Sequence, residues 1–223
     1  MIHTVEIRWF FEGRLPAAVL DWYSVRGPAA EQPPRTDTYL CLPGCHSCGV
    51  KLREGRLEIK AVTAQAGDIQ LAEGISAPAE GWVKWGTAPA GGRGIDELVR
   101  FDSSDRLVHV QKRRYLRWYD FDVSAAPTGS MPLEFGEVCQ VELSALHAGF
   151  SAGGTPGPES AHSDWWSLCF EAGSRRGRGV RNLAAAGARE FAVRPPLRLD
   201  GVQAMGYPAW LDGLGEAPAA GRM

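Results

Sequence analysis

The sequence lacks the features that would place it at once in a common functional class. It has no run of 18 apolar residues, so no transmembrane helix is predicted. Its opening, MIHTVEIRWFF, has no basic segment ahead of a long apolar run, which favours a strand over a signal peptide and makes the cytoplasm the expected location. Neither a phosphate-binding GxxxxGK[S/T] loop nor a GxGxxG turn after a strand is present, which argues against the common mononucleotide and dinucleotide sites.

The sequence also lacks a large excess of charge of one sign and an even number of cysteines. The formal net charge of the 223-residue chain is −2, so no overall field attracts the protein to nucleic acid or to a membrane, and neither is expected as a partner. Five cysteines, an odd number, do not suggest a disulfide framework in a chain of this length. If the protein binds an anion, it must therefore do so with locally placed cations. The sequence gives no sign of its oligomeric state.

What the sequence does contain is alternation typical of β-strands. From His3 to Phe11, apolar side chains share one face and largely polar side chains the other. The segment VKLREGRLEIKAV, residues 50–62, predicts a hairpin that turns at Glu54 and Gly55. Cations and carboxylates, among them Lys51 and Glu58, alternate with its apolar residues.

The remaining segments complete a mainly β fold. Further strands are predicted at 35–42, 81–86, 106–119, 137–146 and 164–172, with helices at 15–25 and 179–192 and a breaker-rich loop at 27–34. Seven or eight near-sequential strands favour an antiparallel sheet. We therefore expect an α+β, mainly β, single domain over residues 1–211, followed by a flexible tail at 212–223.

Most of the predicted strands carry ionisable residues on the face opposite the apolar one. A solvated sheet face would explain any one strand, but the whole set is unusually rich in charge. If the sheet closes into a barrel, these side chains line its interior, where unpaired cations are costly unless an anion enters. Phosphate suits such a site because arginine offers a planar fork and lysine a point charge. The set comprises Glu6, Arg8, Arg35, Asp37, Lys51, Arg53, Glu58, Lys60, Lys84, Lys112, Arg113, Arg114, Glu142 and Glu171.

Several of these segments together resemble the CYTH family, the triphosphate tunnel metalloenzymes related to class IV adenylate cyclase and thiamine triphosphatase. The matching segments are VEIRWF, DTYLCLP, VKLREGRLEIK, VHVQKRRYLRWY, QVELSAL and SLCFEA, which lie in family order within residues 2–172. The hairpin is the most specific of them. The resemblance implies an eight-stranded antiparallel tunnel flanked by a few helices, which binds tripolyphosphate or a nucleoside or thiamine triphosphate.

The resemblance also implies a role for each charged position. Basic side chains would bind the phosphates, and carboxylates would hold Mg²⁺ or Mn²⁺ and take part in hydrolysis. The phosphate-binding candidates are Arg8, Lys51, Arg53, Lys60, Lys84, Lys112, Arg113 and Arg114. The catalytic candidates are Glu6, Glu142 and Glu171, and the metal candidates are these three with Glu58.

The first strand departs from the family pattern. Where the family has Glu-x-Glu-x-Lys, this chain reads Glu6-Ile7-Arg8-Trp9-Phe10. Arg8 cannot ligate a metal and Phe10 cannot bind phosphate. Two functions remain open: a metal-dependent phosphoanhydride hydrolase, or a tunnel that binds a polyphosphate or organic phosphate and has lost full metal ligation.

Two further questions stay open in the sequence. Alternation places Lys112 and Arg114 with the apolar Val108 and Val110, whereas the resemblance places both cations inside the tunnel. Separately, Cys41, Cys45 and Cys48 lie close to His46, a spacing compatible with a zinc knuckle but without a distant second cysteine pair. A zinc-stabilised interaction protein is therefore a third hypothesis.

Overall fold

The computed structural model describes residues 2–86, 107–130, 136–150, 162–199 and 201–216. In these residues the chain forms nine strands and three helices, which confirms the mainly β prediction. The strands are β1 Ile2–Glu12, β2 Ala30–Leu40, β3 Cys48–Arg53, β4 Arg56–Ala72, β5 Ile75–Gly86, β6 Leu107–Asp120, β7 Ser124–Thr128, β8 Val138–Phe150 and β9 His162–Gly173. The helices are α1 Ala17–Val25, α2 Gly179–Glu190 and α3 Tyr207–Glu216.

Eight of the strands close into an antiparallel barrel. The order around the barrel is β2-β3-β4-β5-β1-β9-β8-β6, and β2 pairs with β6 to complete the ring. The short β7 pairs with β6 beyond the end of β2. Closure leaves each of the eight strands with neighbours on both sides, and it gives the sheet an interior and an exterior face. The predicted eight-stranded antiparallel closed barrel is confirmed.

The alternation in β1 separates these two faces as predicted. Ile7 and Trp9 point outward into an apolar core, whereas Glu6, Arg8 and Phe10 point into the barrel. Both sets are buried, because helices cover the exterior of this strand. In β1 the polar face is therefore an interior face, not a solvated one.

Two helices cover the exterior core. Helix α1 begins after Pro16 and buries Val19, Trp22 and Tyr23 against the barrel. Helix α2 packs on β4, β8 and β9. It approaches closely because Gly187 has no side chain: a Cβ there would lie 2.5 Å from Leu71 Cδ2. The exterior core is thus the main hydrophobic core of the protein.

The third helix packs against the inside of the barrel. Trp210 and Leu211 of α3 join an apolar cluster with Phe10, Val108 and Val110, which point inward from β1 and β6. Gly206, just before the helix, allows this entry, because a Cβ there would lie 2.7 Å from the Trp82 ring. The interior therefore has two halves, one apolar and filled by α3, the other charged.

Three boundaries differ from the prediction. Strand β2 begins at Ala30, inside the predicted loop at 27–34, and the two prolines are accommodated by a register shift between Gln32 and Arg35, since proline cannot donate to the ladder. Strands β4 and β5 extend through 63–80, where no strand was predicted. Helix α3 crosses the predicted boundary at 211, continuing to Glu216. None of the described helices is both long and apolar enough to span a membrane.

Candidate functional site

The charged half of the interior is built by antiparallel register. Residues directly opposite each other on paired strands point to the same face. Register places Glu6 opposite Glu171, Lys60 opposite Lys84, and Lys51 opposite Glu58. Cations and carboxylates that are far apart in the sequence therefore meet inside the barrel.

These side chains surround a cavity of about 560 Å³, a size typical of small-molecule sites. All the predicted site residues line it except Arg113. Among the described residues, its lining consists of Glu6, Arg8, Arg35, Tyr39, Gly49, Lys51, Arg53, Arg56, Glu58, Ile59, Lys60, Trp82, Lys84, Trp85, Gly86, Lys112, Arg114, Gln140, Glu142, Glu171, Tyr207 and Pro208.

Arg8 is a central member of this site. Its Nε donates to Glu6 Oε1 at 3.2 Å, and its Nη1 donates to Glu142 Oε1 and to Ser167 Oγ, each at 3.2 Å. Its guanidinium lies over the Tyr207 ring, 4.8 Å from the centroid. Burial raises the pKa of Glu142, but the charges of Arg8 and Lys112 outweigh it and lower the pKa to about 2. Arg8 thus joins two carboxylates from different strands and keeps Glu142 ionised.

Lys60 and Lys84 bind the remaining carboxylates. Lys60 Nζ donates to Glu6 Oε2 and lies 3.9 Å from Glu171 Oε1, and Lys84 Nζ donates to the same Glu171 oxygen. Thr4 Oγ1 donates to Glu171 Oε1 as well, at 2.9 Å. For Glu6 and Glu171, the neighbouring cations outweigh the effect of burial and lower the pKa of both carboxyls.

Asp37 organises a second group of cations. The carboxylate is fully buried and lies within 3.7 Å of four cations. Its pKa lies well below its usual range, because these cations outweigh the opposing effect of burial. The four partners are Arg35, Lys51, Arg53 and Lys112.

The cations of the site outnumber its carboxylates. Within the described part of the chain, nine arginine and lysine side chains line the cavity against four glutamates, and Asp37 adds a fifth carboxylate. The excess of four positive charges contrasts with the net charge of −2 of the whole chain. Burial lowers the pKa of Lys51 to about 8, and it lowers the pKa of Lys112 well below its usual value. The protein therefore concentrates positive charge in this cavity at an electrostatic cost.

Four hydrogen-bond donors in the lining have no hydrogen-bond partner among the described residues: Arg35 Nε, Trp82 Nε1, Arg114 Nε and the Tyr207 hydroxyl. Arg114 Nε is buried without an acceptor among the described residues, and Glu142 Oε2 lies 3.8 Å from the Nη1 of the same side chain. The hydroxyl of Tyr207 is likewise buried without a partner. A buried unsatisfied donor is unusual and costs stability, so each calls for a ligand or a water.

The predicted metal set does not fit a divalent cation as it is arranged. In the residues described, no three carboxylate, histidine or cysteine side chains form a group that could hold a metal ion. Arg8 lies between Glu6 and Glu142, and Glu58 binds Lys51 at 3.0 Å and Arg53 at 3.1 Å, away from the other three. The carboxylates act as counter-charges to the cations. The roles predicted for them in metal binding and catalysis stay predictions.

The structure resolves the ambiguity in β6. Lys112 and Arg114 do share a face with Val108 and Val110, and that face is the interior. The two valines belong to the apolar half and the two cations to the charged half. Arg113 points outward, is 59% exposed, and donates to Glu31 at 2.6 Å. This outward position does not support the assignment of Arg113 to phosphate binding inside the barrel.

The cysteine segment contacts α3, and no group of side chains able to hold a metal ion forms there among the described residues. His46 Nε2 lies 2.8 Å from Asp212 Oδ2, and Gly44 N donates to the same oxygen. Cys41 Sγ donates to Leu211 O at 3.8 Å. These contacts attach the loop between β2 and β3 to the helix in the barrel.

Sequence reasoning missed several residues of the site. Asp37 and Arg35 were grouped with the charged face but given no role, although Asp37 follows the same alternation as Tyr39. Gln140 has the parity of Glu142 on β8 and could have been found in that way. Tyr207 lies beyond residue 172, outside the segments that carry the family resemblance, and no pattern in the sequence points to it.

No family model matches this chain, and no curated protein matches it. Three solved chains are similar, including the following two. A conserved hypothetical protein from Pyrococcus furiosus shares 11% identity with a TM-score of 0.43, covering 92% of this chain and 98% of its own. The PH1012 protein from Pyrococcus horikoshii OT3 shares 13% identity with a TM-score of 0.40, covering 90% and 94%. The fold assignment rests on the strand pairing of this chain, and the site rests on its own geometry.

Proposed function

We propose that the barrel interior binds a compact anion rich in phosphate oxygens, of the class of tripolyphosphate or a nucleoside or thiamine triphosphate, and binds it without a divalent cation. One observation carries the proposal: nine cations from separate strands line a single cavity that holds too few carboxylates to neutralise them. A multiply charged anion offsets this excess and supplies acceptors for unsatisfied donors.

Arg8 is the reason that the proposed anion site needs no metal. In a metal-assisted site, carboxylates from several strands share one divalent cation. Here a guanidinium from the chain itself joins Glu6 to Glu142. A metal would have to displace Arg8 from both carboxylates, whereas a free anion has only to approach cations that are already in place.

Titration calorimetry with tripolyphosphate in the presence of EDTA tests this function. We expect binding to the wild-type protein, and weaker binding after Mg²⁺ is added, since the metal competes for the anion in solution. Lys84→Met should weaken affinity about tenfold, the effect of losing one charge-assisted contact. Arg113→Gln removes an exterior cation and should leave the affinity unchanged. Absence of binding in EDTA, or equal losses in both variants, contradicts the proposal.

Metal-dependent hydrolysis is the second candidate, and one observation favours it. Glu6 and Glu171 lie opposite each other across β1 and β9, and Lys60 contacts both. An anion that attracts Lys60 and Lys84 would expose both carboxylates together. Release of phosphate from tripolyphosphate, nucleoside triphosphates or thiamine triphosphate with Mg²⁺ or Mn²⁺, set against the same assay in EDTA, separates the two candidates. Cytoplasmic residence stays a prediction.

A further inference from the structure

The lining of the charged cavity includes a tyrosine of helix α3 that was not among the predicted site residues. Tyr207 lines the cavity, and its ring is held in an aromatic cluster. It stacks on Tyr39 with centroids 5.2 Å apart and meets Phe10 and Trp210 edge-on at 5.1 and 5.5 Å. The hydroxyl therefore has a fixed position at the border between the apolar and charged halves.

The two stacked tyrosines differ in their hydrogen bonds. The Tyr39 hydroxyl accepts from Lys112 Nζ at 2.5 Å and donates to Asp37 Oδ2 at 3.3 Å. The Tyr207 hydroxyl is also buried, but it has no partner within the part of the chain that the structure describes. The contrast shows that this part of the interior can supply hydrogen-bond partners to a tyrosine hydroxyl. Among the described residues it supplies none to the hydroxyl of Tyr207.

The cations next to Tyr207 contact its ring face. Lys112 Nζ lies 4.0 Å and Arg8 Cζ 4.8 Å from the ring centroid, in cation–π contacts. These cations attract an anion to the neighbourhood without occupying the phenolic oxygen. Burial raises the pKa of Tyr207, so the hydroxyl keeps its proton and can donate it in a hydrogen bond.

We propose that Tyr207 is an anion-binding residue of the tunnel, whose hydroxyl donates a hydrogen bond to a phosphate oxygen held near Arg8 and Lys112. The inference rests on the proposed function and adds a contact from the C-terminal helix. Because α3 fills the apolar half of the interior, the Tyr207 hydroxyl marks the inner end of the site, and the anion enters only as far as this helix.

The decisive experiment compares two tyrosine-to-phenylalanine variants. Tyr207→Phe should weaken tripolyphosphate affinity about tenfold, since a hydrogen bond to a charged group is lost. It should not lower resistance to denaturant, because the hydroxyl has no partner in the free protein. Tyr119→Phe is the matched control: its hydroxyl donates to Glu190 at 2.8 Å outside the barrel, so it should lower the denaturation midpoint and leave affinity unchanged.

The outcomes separate this inference from the function on which it rests. If the wild-type protein does not bind tripolyphosphate, both the proposed function and the inference about Tyr207 are contradicted. If it binds and Tyr207→Phe binds equally well, the hydroxyl meets only water and the inference alone is overturned. If Tyr207→Phe loses affinity only in proportion to a loss of folded protein, the residue is structural and the inference is again overturned.

Discussion

The protein contains two buried ion-pair networks, one on each side of the same sheet, and they differ in balance. Outside the barrel, Arg117 donates through Nη1 to both oxygens of Glu190 at 2.7 Å, and both side chains are fully buried. Arg117 also donates to the carbonyls of Tyr23, Gly27 and Pro28. One cation there meets one carboxylate, and backbone oxygens take the remaining donors.

The interior network has the opposite character. Cations exceed carboxylates, Arg114 Nε and the Tyr207 hydroxyl have no partner among the described residues, and burial lowers the pKa of Lys51 and Lys112. A balanced network with its donors satisfied stabilises a fold, whereas an unbalanced one costs stability until a ligand arrives. The comparison indicates that the exterior network attaches α2 to the barrel, and it supports the proposal that the interior network binds an anion.

The strongest test breaks the exterior network. Arg117→Gln leaves the Glu190 carboxylate buried without its cation and leaves backbone carbonyls without donors. We expect a loss of about 3–5 kcal/mol in the free energy of unfolding, the usual cost of breaking a buried pair. Denaturant titration measures it. Calorimetry on the folded variant should give the wild-type affinity for tripolyphosphate, and a changed affinity would contradict the separation of the two networks.

The reciprocal test uses Arg114, three residues earlier on the same strand but facing the interior. Arg114→Gln should weaken tripolyphosphate binding by roughly 1.5–3 kcal/mol, the value of a hydrogen bond to a charged group. Stability should be unchanged or slightly higher, because the native side chain is desolvated and its Nε has no acceptor. A drop in the free energy of unfolding like that expected for Arg117→Gln would show that the interior network is structural as well.

The smallest expected effect is a pH dependence of binding. With the pKa of Lys51 at about 8, the lysine loses its charge as the pH rises through that value. A bound anion favours the charged form, so binding takes up a proton above pH 8 and affinity should fall about tenfold between pH 7 and 9. Titration of the anion's own phosphates is common to the wild type and to a Lys51 variant, so a comparison of the two removes it.

Lys51→Arg sharpens this prediction because it keeps the charge at every pH in the range. Calorimetry at pH 7, 8 and 9 should show most of the dependence removed in this variant. An unchanged slope would assign the titration to another group, of which Lys112 is the nearest candidate.

The alternation in the sequence predicted which side chains share a face, strand by strand. It placed Glu6 with Arg8, and Lys51 with Arg53, and these pairs do lie inside the barrel. Local pattern was sufficient because successive residues of a strand point to opposite faces regardless of its neighbours. The same rule placed Lys112 with Val108 and Val110, but it did not show that this face is the interior. At residues 112–114 the alternation separates Arg113 from Lys112 and Arg114, but the resemblance assigns all three to the site, and only the structure shows that Arg113 points outward.

Sequence alone thus determined the β-rich class, the polar and apolar faces of the strands, and most of the cations of the site. Only the tertiary structure decided that Arg8 joins Glu6 to Glu142, that Asp37 gathers four cations, and that α3 fills half of the interior. These arrangements depend on which strands become neighbours and on where the chain returns after β9. A repeat of two residues carries no information about contacts between residues more than a hundred positions apart.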